Sequence, residues 1–240
     1  MFLGQTITCV IPARLSSTRF PRKALAKIKG RELVLRCADI AAKSKYLDNI
    51  IIATEDNEIK ELCEKNNYDS RLTNKHYTCT HRVSEVSKTL QSDFIINYQG
   101  DEPLLKYKWI DDIIKFGVTY RYDMVQAIRD LDEEEIEDND VVKCVISNGL
   151  VTHNMRSVEL CNNNVKSMIG LYLYKKNVID DFSHLDMTFV KQWQGLDTQG
   201  FVGKYNIVPY NLNCSKFRAV DRPEHIKEIE EMLPFSKEII

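Results

Sequence analysis

The chain has no run approaching the ~18 consecutive apolar residues that a bilayer span requires, so nothing in its 240 residues reads as membrane-spanning. It has no excess of charge either: 33 basic side chains face 35 acidic ones, for a formal net charge of −2. Proteins that coat nucleic acid or anionic membranes carry a basic surplus, so this balance argues against both partner classes. Paired cysteines are missing too. The seven cysteines (9, 37, 63, 79, 144, 161 and 214) are odd in number, scattered, and include no C-x-x-C. In a chain of this length that implies reduced thiols and a cytoplasmic setting. The opening MFLGQTITCVIPAR lacks the basic flank and cleavage site of a secretory signal and reads as a first buried strand. There is no internal repeat, low-complexity tract or linker, and no G-x-S-x-G, H-E-x-x-H or kinase H-R-D set.

What is present is an apolar fraction of 43% with 9% aromatics, which rules out disorder. At roughly 150 residues per domain the length suits one large domain, or one with an arm. It is enough to bury a core without disulfide or metal staples. The near-neutral total hides two opposite blocks. Arg14, Arg19, Arg22, Lys23, Lys27, Lys29, Arg31 and Arg36 stand against a single acid, Glu32, while eight of the eleven residues from Asp130 to Asp140 are acidic. The acidic block reads most simply as a solvated surface segment. His76, Cys79 and His81 lie close in sequence, but a structural zinc site wants a second ligand pair that the chain does not show. These read as loop residues facing solvent or substrate.

The first half alternates short apolar runs with helical spacing. Strands are expected at Thr6–Pro12, Asn49–Ala53 and Asp93–Asn97, and helices at Leu33–Ser44, Asn57–Lys65 and Arg82–Leu90. Such an order implies a parallel α/β sheet, whose ligands bind beyond the carboxyl ends of the strands. Further strands are expected at Val141–Ser147, Val165–Tyr174 and Tyr205–Leu212, with helices near Thr188–Gln194 and over Pro223–Leu233. The organisation that fits is one sheet-centred domain, residues 1–240, with an arm from about 130 to 200.

Two loops follow strand ends. Residues 12–23, PARLSSTRFPRK, are not a Walker loop, yet they offer backbone amides, three hydroxyls (Ser16, Ser17, Thr18) and the cations Arg14, Arg19 and Lys23, which together suit a polyphosphate. In the second loop Asp101 follows a buried strand, where a carboxylate can hold Mg²⁺ alongside phosphate oxygens. A second carboxylate, Asp221, stands before Arg222-Pro223, where taken alone it reads as a helix N-cap. Two aspartates and a basic loop without a hydrolytic triad suggest metal-assisted nucleotidyl transfer.

The segment IPARLSSTRFPRKAL resembles the CTP-binding signature P-A-R-x-x-S-T-R-x-P-x-K of the CMP-KDO synthetases, the 3-deoxy-manno-octulosonate cytidylyltransferases. Asn97-Tyr98-Gln99-Gly100-Asp101-Glu102-Pro103-Leu104 resembles the same family's N-x-Q-G-D-E-P-x loop. Weaker likenesses follow in family order at Asp140–Lys143, Ile169–Tyr172 and Val220–Glu224. The resemblance implies a nucleotidyltransferase-type α/β fold: a mixed, mostly parallel sheet flanked by helices, with a smaller dimerisation and acceptor arm. It implies CTP, an acidic acceptor of the KDO type, Mg²⁺, loss of pyrophosphate and a homodimer. It places Arg14, Ser17 and Lys23 on the triphosphate, Arg19, Arg82, Gln99 and Tyr172 among the substrate contacts, and Arg156 at the acceptor carboxylate. Asp101 and Asp221 are the implied metal ligands and, with Lys23, the catalytic set.

Departures from the pattern fall mostly on the acceptor side. Cys79 stands where the family's S-G-T-D-R has glycine, a position that can need backbone freedom or close ligand approach. Met168 replaces the histidine before I-G-I-Y, and Arg22 replaces the glycine after the loop proline. The family's E-Q-L-R segment has only poor counterparts, at 190–193 and 196–199. They leave two further readings open: the same transfer to a different keto-sugar acid or a phosphorylated or phosphonate compound, and nucleotide binding without catalysis.

Overall fold

Apolar runs set the strands. In the computed structural model, which describes residues 1–158, 162–184, 196–215 and 217–233, Ile7–Ala13 (β1) is buried along its whole length. A short ribbon of Lys27–Ile28 (β2) and Arg31–Glu32 (β3) leads into helix α1, Leu33–Ala41. Asn49–Thr54 (β4), Asn57–Lys65 (α2), Asp69–Leu72 (β5), Cys79–Ser87 (α3) and Phe94–Tyr98 (β6) continue the alternation. Then come Tyr107–Thr119 (α4), Met124–Arg129 (β7), Lys143–Ser147 (β8), Leu150–Met155 (β9), Val165–Lys175 (β10), Lys176–Asp181 (α5), Ile207–Asn211 (β11) and His225–Met232 (α6).

The main sheet runs β11-β7-β10-β6-β1-β4-β5, with the β8–β9 hairpin joined to β10. β1 pairs in parallel with β4 (Ile11 opposite Ile52) and β6 (Cys9 opposite Ile96). β4–β5 and β7–β11 are also parallel. Only β10, antiparallel to β6, β7 and β8, and the β8–β9 hairpin reverse direction. The sheet is therefore mixed and mostly parallel, as expected. One face packs against α1, α4 and α6 through Ile11, Leu35, Ile110, Ile114 and Ile229, and the other packs α3 and α5 through Val83, Val86 and Val178. Strands covered on both faces must be apolar throughout, which explains why NIIIA and FIIN were readable as strands. Of the segment 130–200, β10 is an inner strand of this sheet, and the β8–β9 hairpin is the part that stands off its main path.

The sequence reading missed β5, α4, β7, β9 and α5, besides the short β2–β3 ribbon. In α4 the signal was available, since Ile110, Ile113, Ile114 and Val118 recur at helical spacing and are buried. Helix α3 starts at Cys79 rather than Arg82 because the Thr78 hydroxyl caps it, accepting from the His81 N–H at 3.3 Å. The helix expected near Thr188–Gln194 lies outside the described residues. Among the described residues no helix is long and apolar enough to cross a membrane.

Candidate active site

The carboxyl ends of β1 and β6 point the same way, so the two loops singled out in the sequence meet over one cavity of about 880 Å³. Arg14, Ser17, Arg19, Lys23, Gln99, Asp101, Arg156, Tyr172 and Asp221 all line it. Chain positions more than 200 residues apart are brought into hydrogen-bond range, since an Arg19 terminal nitrogen donates to Asp221 Oδ1.

The basic loop is shaped by the end of the next parallel strand. Asp56 accepts from the Leu15 N–H at 2.8 Å, and Glu55 accepts from the Ser16 hydroxyl at 3.1 Å. Arg82, expected from the sequence among the substrate contacts, is placed apart from the others. Its side chain is 1% exposed, lies outside the cavity lining and pairs with Glu55 at 3.2 Å. Position 82 falls on the inward face of α3, so its guanidinium supports the acid that holds the loop. The turn out of the loop places Arg22, the residue found where the family pattern has glycine, at φ 61° and ψ 22°, the left-handed region. Its pair with Glu58 is exposed on both sides and offsets little of that strain. Arg22→Gly is expected to stabilise the chain by about 0.5–1 kcal/mol, left-handed strain relieved less the entropy of glycine. A melting temperature about 1–3 °C higher is the measurement.

Lys23 sits between the two aspartates. Its Nζ donates to Asp101 Oδ2 at 2.6 Å and to the Val220 carbonyl at 2.9 Å, and lies 3.9 Å from Asp221 Oδ1. Burial pushes the ammonium toward neutrality, but Asp101 and Asp221 outweigh it and hold its pKa above the ordinary value. The Asp221 carboxyl is pushed up by burial and then by the charge of Asp101, against the pull of Lys23 and Arg19. Asp101 and Asp221 thus share Lys23, with Arg19 a second cation on Asp221. Asp221 is not the cap of the closing helix: α6 begins at His225, and the Asp221 N–H donates to His225 Nδ1 at 3.2 Å.

On the β6 side, Gln99 is fixed by its N–H to the Gly170 carbonyl (2.8 Å) and by its Nε2 to Asn97 Oδ1 (2.9 Å). Gly170 must be glycine, because a Cβ there would stand 2.8 Å from Gln99 Cβ and from Glu102 Oε1. Glu102 is buried, accepts from the Gly170 N–H at 2.9 Å, and has its pKa pushed up to about 8 by burial and by Asp101. The folded chain thus keeps this proton where the unfolded chain loses it. Stability is full below the unfolded value and falls as pH rises toward 8, by up to about 1.4 kcal/mol per pH unit. Glu102→Gln is expected to flatten that part of the pH profile in thermal melts of the ligand-free protein between pH 5 and 8.

Beyond these motifs the cavity is lined by Cys79, Asp140, Met168, Asp197, Thr198 and Arg218. Cys79 is in the first turn of α3 and is not among the positive-φ residues, so its backbone does not need glycine. What the change adds is a thiol on the cavity wall, its pKa raised to about 11 by burial and then by Asp101 and Asp197. Met168 accepts the Tyr172 hydroxyl at 3.3 Å. His76 is bonded to Glu85, and His81 Nδ1 lies 2.8 Å from Thr78 Oγ1, so the two histidines turn to separate partners. Among the described residues no group of three or more His, Cys, Asp or Glu could hold a metal ion.

Sequence reasoning missed Glu55, Asp56 and Asp197, whose N-capping contact to the Thr80 N–H (3.0 Å) joins segment 197–201 to α3. It also read the acidic block as solvated. Most of the block is exposed, Asp132, Glu133, Glu134, Glu137 and the Lys166-paired Asp130 (2.8 Å) among it, but Glu135 pairs with the buried Arg129, Asp138 with Arg218 (2.8 Å), and Asp140 with Arg19 and Arg222 (2.6 Å each). Apart from Arg129, these partners lie 36 or more residues away in sequence, so no local pattern could have shown them.

The family model described as cytidylyltransferase matches residues 8–232. A 3-deoxy-manno-octulosonate cytidylyltransferase of Chlorobium phaeobacteroides (strain BS1) is 32% identical over 203 residues, covering 80% of this chain and 82% of that protein. One from Polynucleobacter necessarius subsp. necessarius (strain STIR1) is 29% identical over 240 residues, covering 93% and 94%. In fold the chain is similar to a solved CMP:2-keto-3-deoxy-manno-octonic acid synthetase complexed with CTP, with a TM-score of 0.85 at 22% identity over 95% of this chain and 98% of that one.

Proposed function

Because the chain belongs to the cytidylyltransferase family, we propose that it transfers CMP from CTP to 3-deoxy-manno-octulosonate or a close acidic sugar, releasing pyrophosphate. The observation that carries this reading is the single cavity in which the hydroxyl-bearing basic loop faces Asp101 and Asp221 across Lys23. The acceptor is the sugar acid named in the relatives' descriptions.

An acceptor oxygen attacks the α-phosphorus of CTP in line. The new P–O bond forms as the bond to the α,β-bridging oxygen breaks, the electron pair leaves with pyrophosphate, and the acceptor hydroxyl releases its proton to solvent. The protein's part is positioning and charge. Arg14, Ser17 and Arg19 hold the triphosphate, Lys23 offsets the charge that builds on the leaving group, and Arg156 faces the acceptor carboxylate. Asp101 and Asp221 fit Mg²⁺, which takes one or two carboxylates and completes its shell with water and phosphate oxygens. When bound it neutralises phosphate charge as a Lewis acid. The ion, the homodimer and a cytoplasmic setting belong to the same proposal and rest on the family resemblance.

A second acceptor is favoured by one observation: Met168 and Cys79 put a thioether and a thiol on the cavity wall. Incubating the purified chain with CTP, Mg²⁺ and 3-deoxy-manno-octulosonate is expected to release pyrophosphate only when all three are present. Release with another keto-sugar acid or a phosphonate, and none with this one, would move the acceptor. CTP binding with no turnover on any acceptor would favour the non-catalytic reading.

A further inference from the structure

The carboxylate of Asp140 is nearly buried and uses both oxygens: Oδ1 accepts from Arg19 Nη1 and Oδ2 from Arg222 Nε, each at 2.6 Å. Arg19 spends its other terminal nitrogen on Asp221. Asp140 is itself held, its N–H donating to Asp138 Oδ1 at 2.8 Å, while Asp138 Oδ2 takes Arg218 Nη1 at 2.8 Å. Each link is held by the next, so the acidic turn brackets Arg19.

A guanidinium has five N–H donors in a fixed plane. With one donor on each carboxylate, the plane of Arg19 is set and its remaining N–H groups are left for the cavity that Arg19 lines. An arginine fixed in this way loses less freedom when it meets an anion, and its donors arrive already aimed. We propose that Asp140 is a positioning residue for the nucleotide: it fixes the Arg19 guanidinium at the cavity wall so that the free donors meet the triphosphate. This rests on the CTP reading above. Although Asp140 borders the cavity, both of its carboxylate oxygens are taken by arginines, so in this role it acts through Arg19.

The test is a double-mutant cycle read by CTP calorimetry, with and without Mg²⁺, and by steady-state kinetics. Asp140→Ala is expected to raise the CTP Kd and KM about tenfold with kcat within about threefold, since it removes orientation rather than chemistry. In an Arg19→Ala background the same change is expected to add nothing. Should Asp140→Ala fail to fold, Arg222→Gln removes the other anchor from an exposed side chain. It is then expected to raise KM about two- to threefold, again only when Arg19 is present. Wild-type affinity in Asp140→Ala, or equal losses with and without Arg19, would overturn the role of Asp140 and leave the CTP reading standing. A wild-type chain that binds no CTP would overturn the CTP reading, and the role of Asp140 with it.

Discussion

Asp101→Asn is expected to slow pyrophosphate release by about a thousandfold, or roughly 4 kcal/mol of transition-state stabilisation. The substitution keeps shape and removes one of two negative charges. Lys23 would keep the Val220 carbonyl at 2.9 Å and Asp221 nearby, so the cavity should hold its form and the melting temperature should stay close to wild type. CTP binding without Mg²⁺ should be retained, because the cavity loses an anion that repels phosphate. The dependence on Mg²⁺ should weaken together with turnover. If the variant released pyrophosphate within tenfold of the wild-type rate at the same Mg²⁺ concentration, Asp101 would not be a metal ligand.

Gly100→Ala should damage both stability and turnover. A Cβ at this position would stand 2.7 Å from the Pro12 carbonyl oxygen. That oxygen belongs to the backbone of β1, which is locked between β4 and β6 and cannot yield as a flexible side chain would. The loop 99–103 must move instead. Overpacking of this kind costs about 1–3 kcal/mol. The functional loss should exceed it, because Asp101 and Gln99 flank the glycine while Lys23 and Arg19 hang from the loop that continues β1. Displacement of about 1 Å between such groups can cost ~100-fold in rate. Thermal melts and kcat measured on one preparation check both parts, and an unchanged melting temperature with full turnover would show that the close approach is relieved elsewhere.

Part of this was readable before any coordinates. β1, β4 and β6 are apolar throughout because both faces of the sheet are covered, and α2 matches its expected bounds. The loops 12–23 and 99–103 were readable because each continues from such a strand and carries chemistry that a strand end can present. β5 was not readable, since its DSRL carries little apolar signal. β7, with a polar Gln126 at a fully buried position, breaks the apolar run that marks an inner strand.

The sequence by itself determined the sheet class, the two loops and the residue types that make nucleotidyl transfer chemically reasonable, because these depend on neighbours a few positions apart. Only the tertiary structure decided what depends on distant partners. It assigned Asp221 to Lys23 and Arg19 instead of to the cap of α6. It placed Arg82 against Glu55, outside the cavity lining. It gave Asp138 and Asp140, at the end of an otherwise exposed acidic block, the partners Arg218, Arg19 and Arg222. Charge acts through space over a few ångströms, and the separations that matter here, 121 residues from Arg19 to Asp140 and 202 to Asp221, are closed only by the fold.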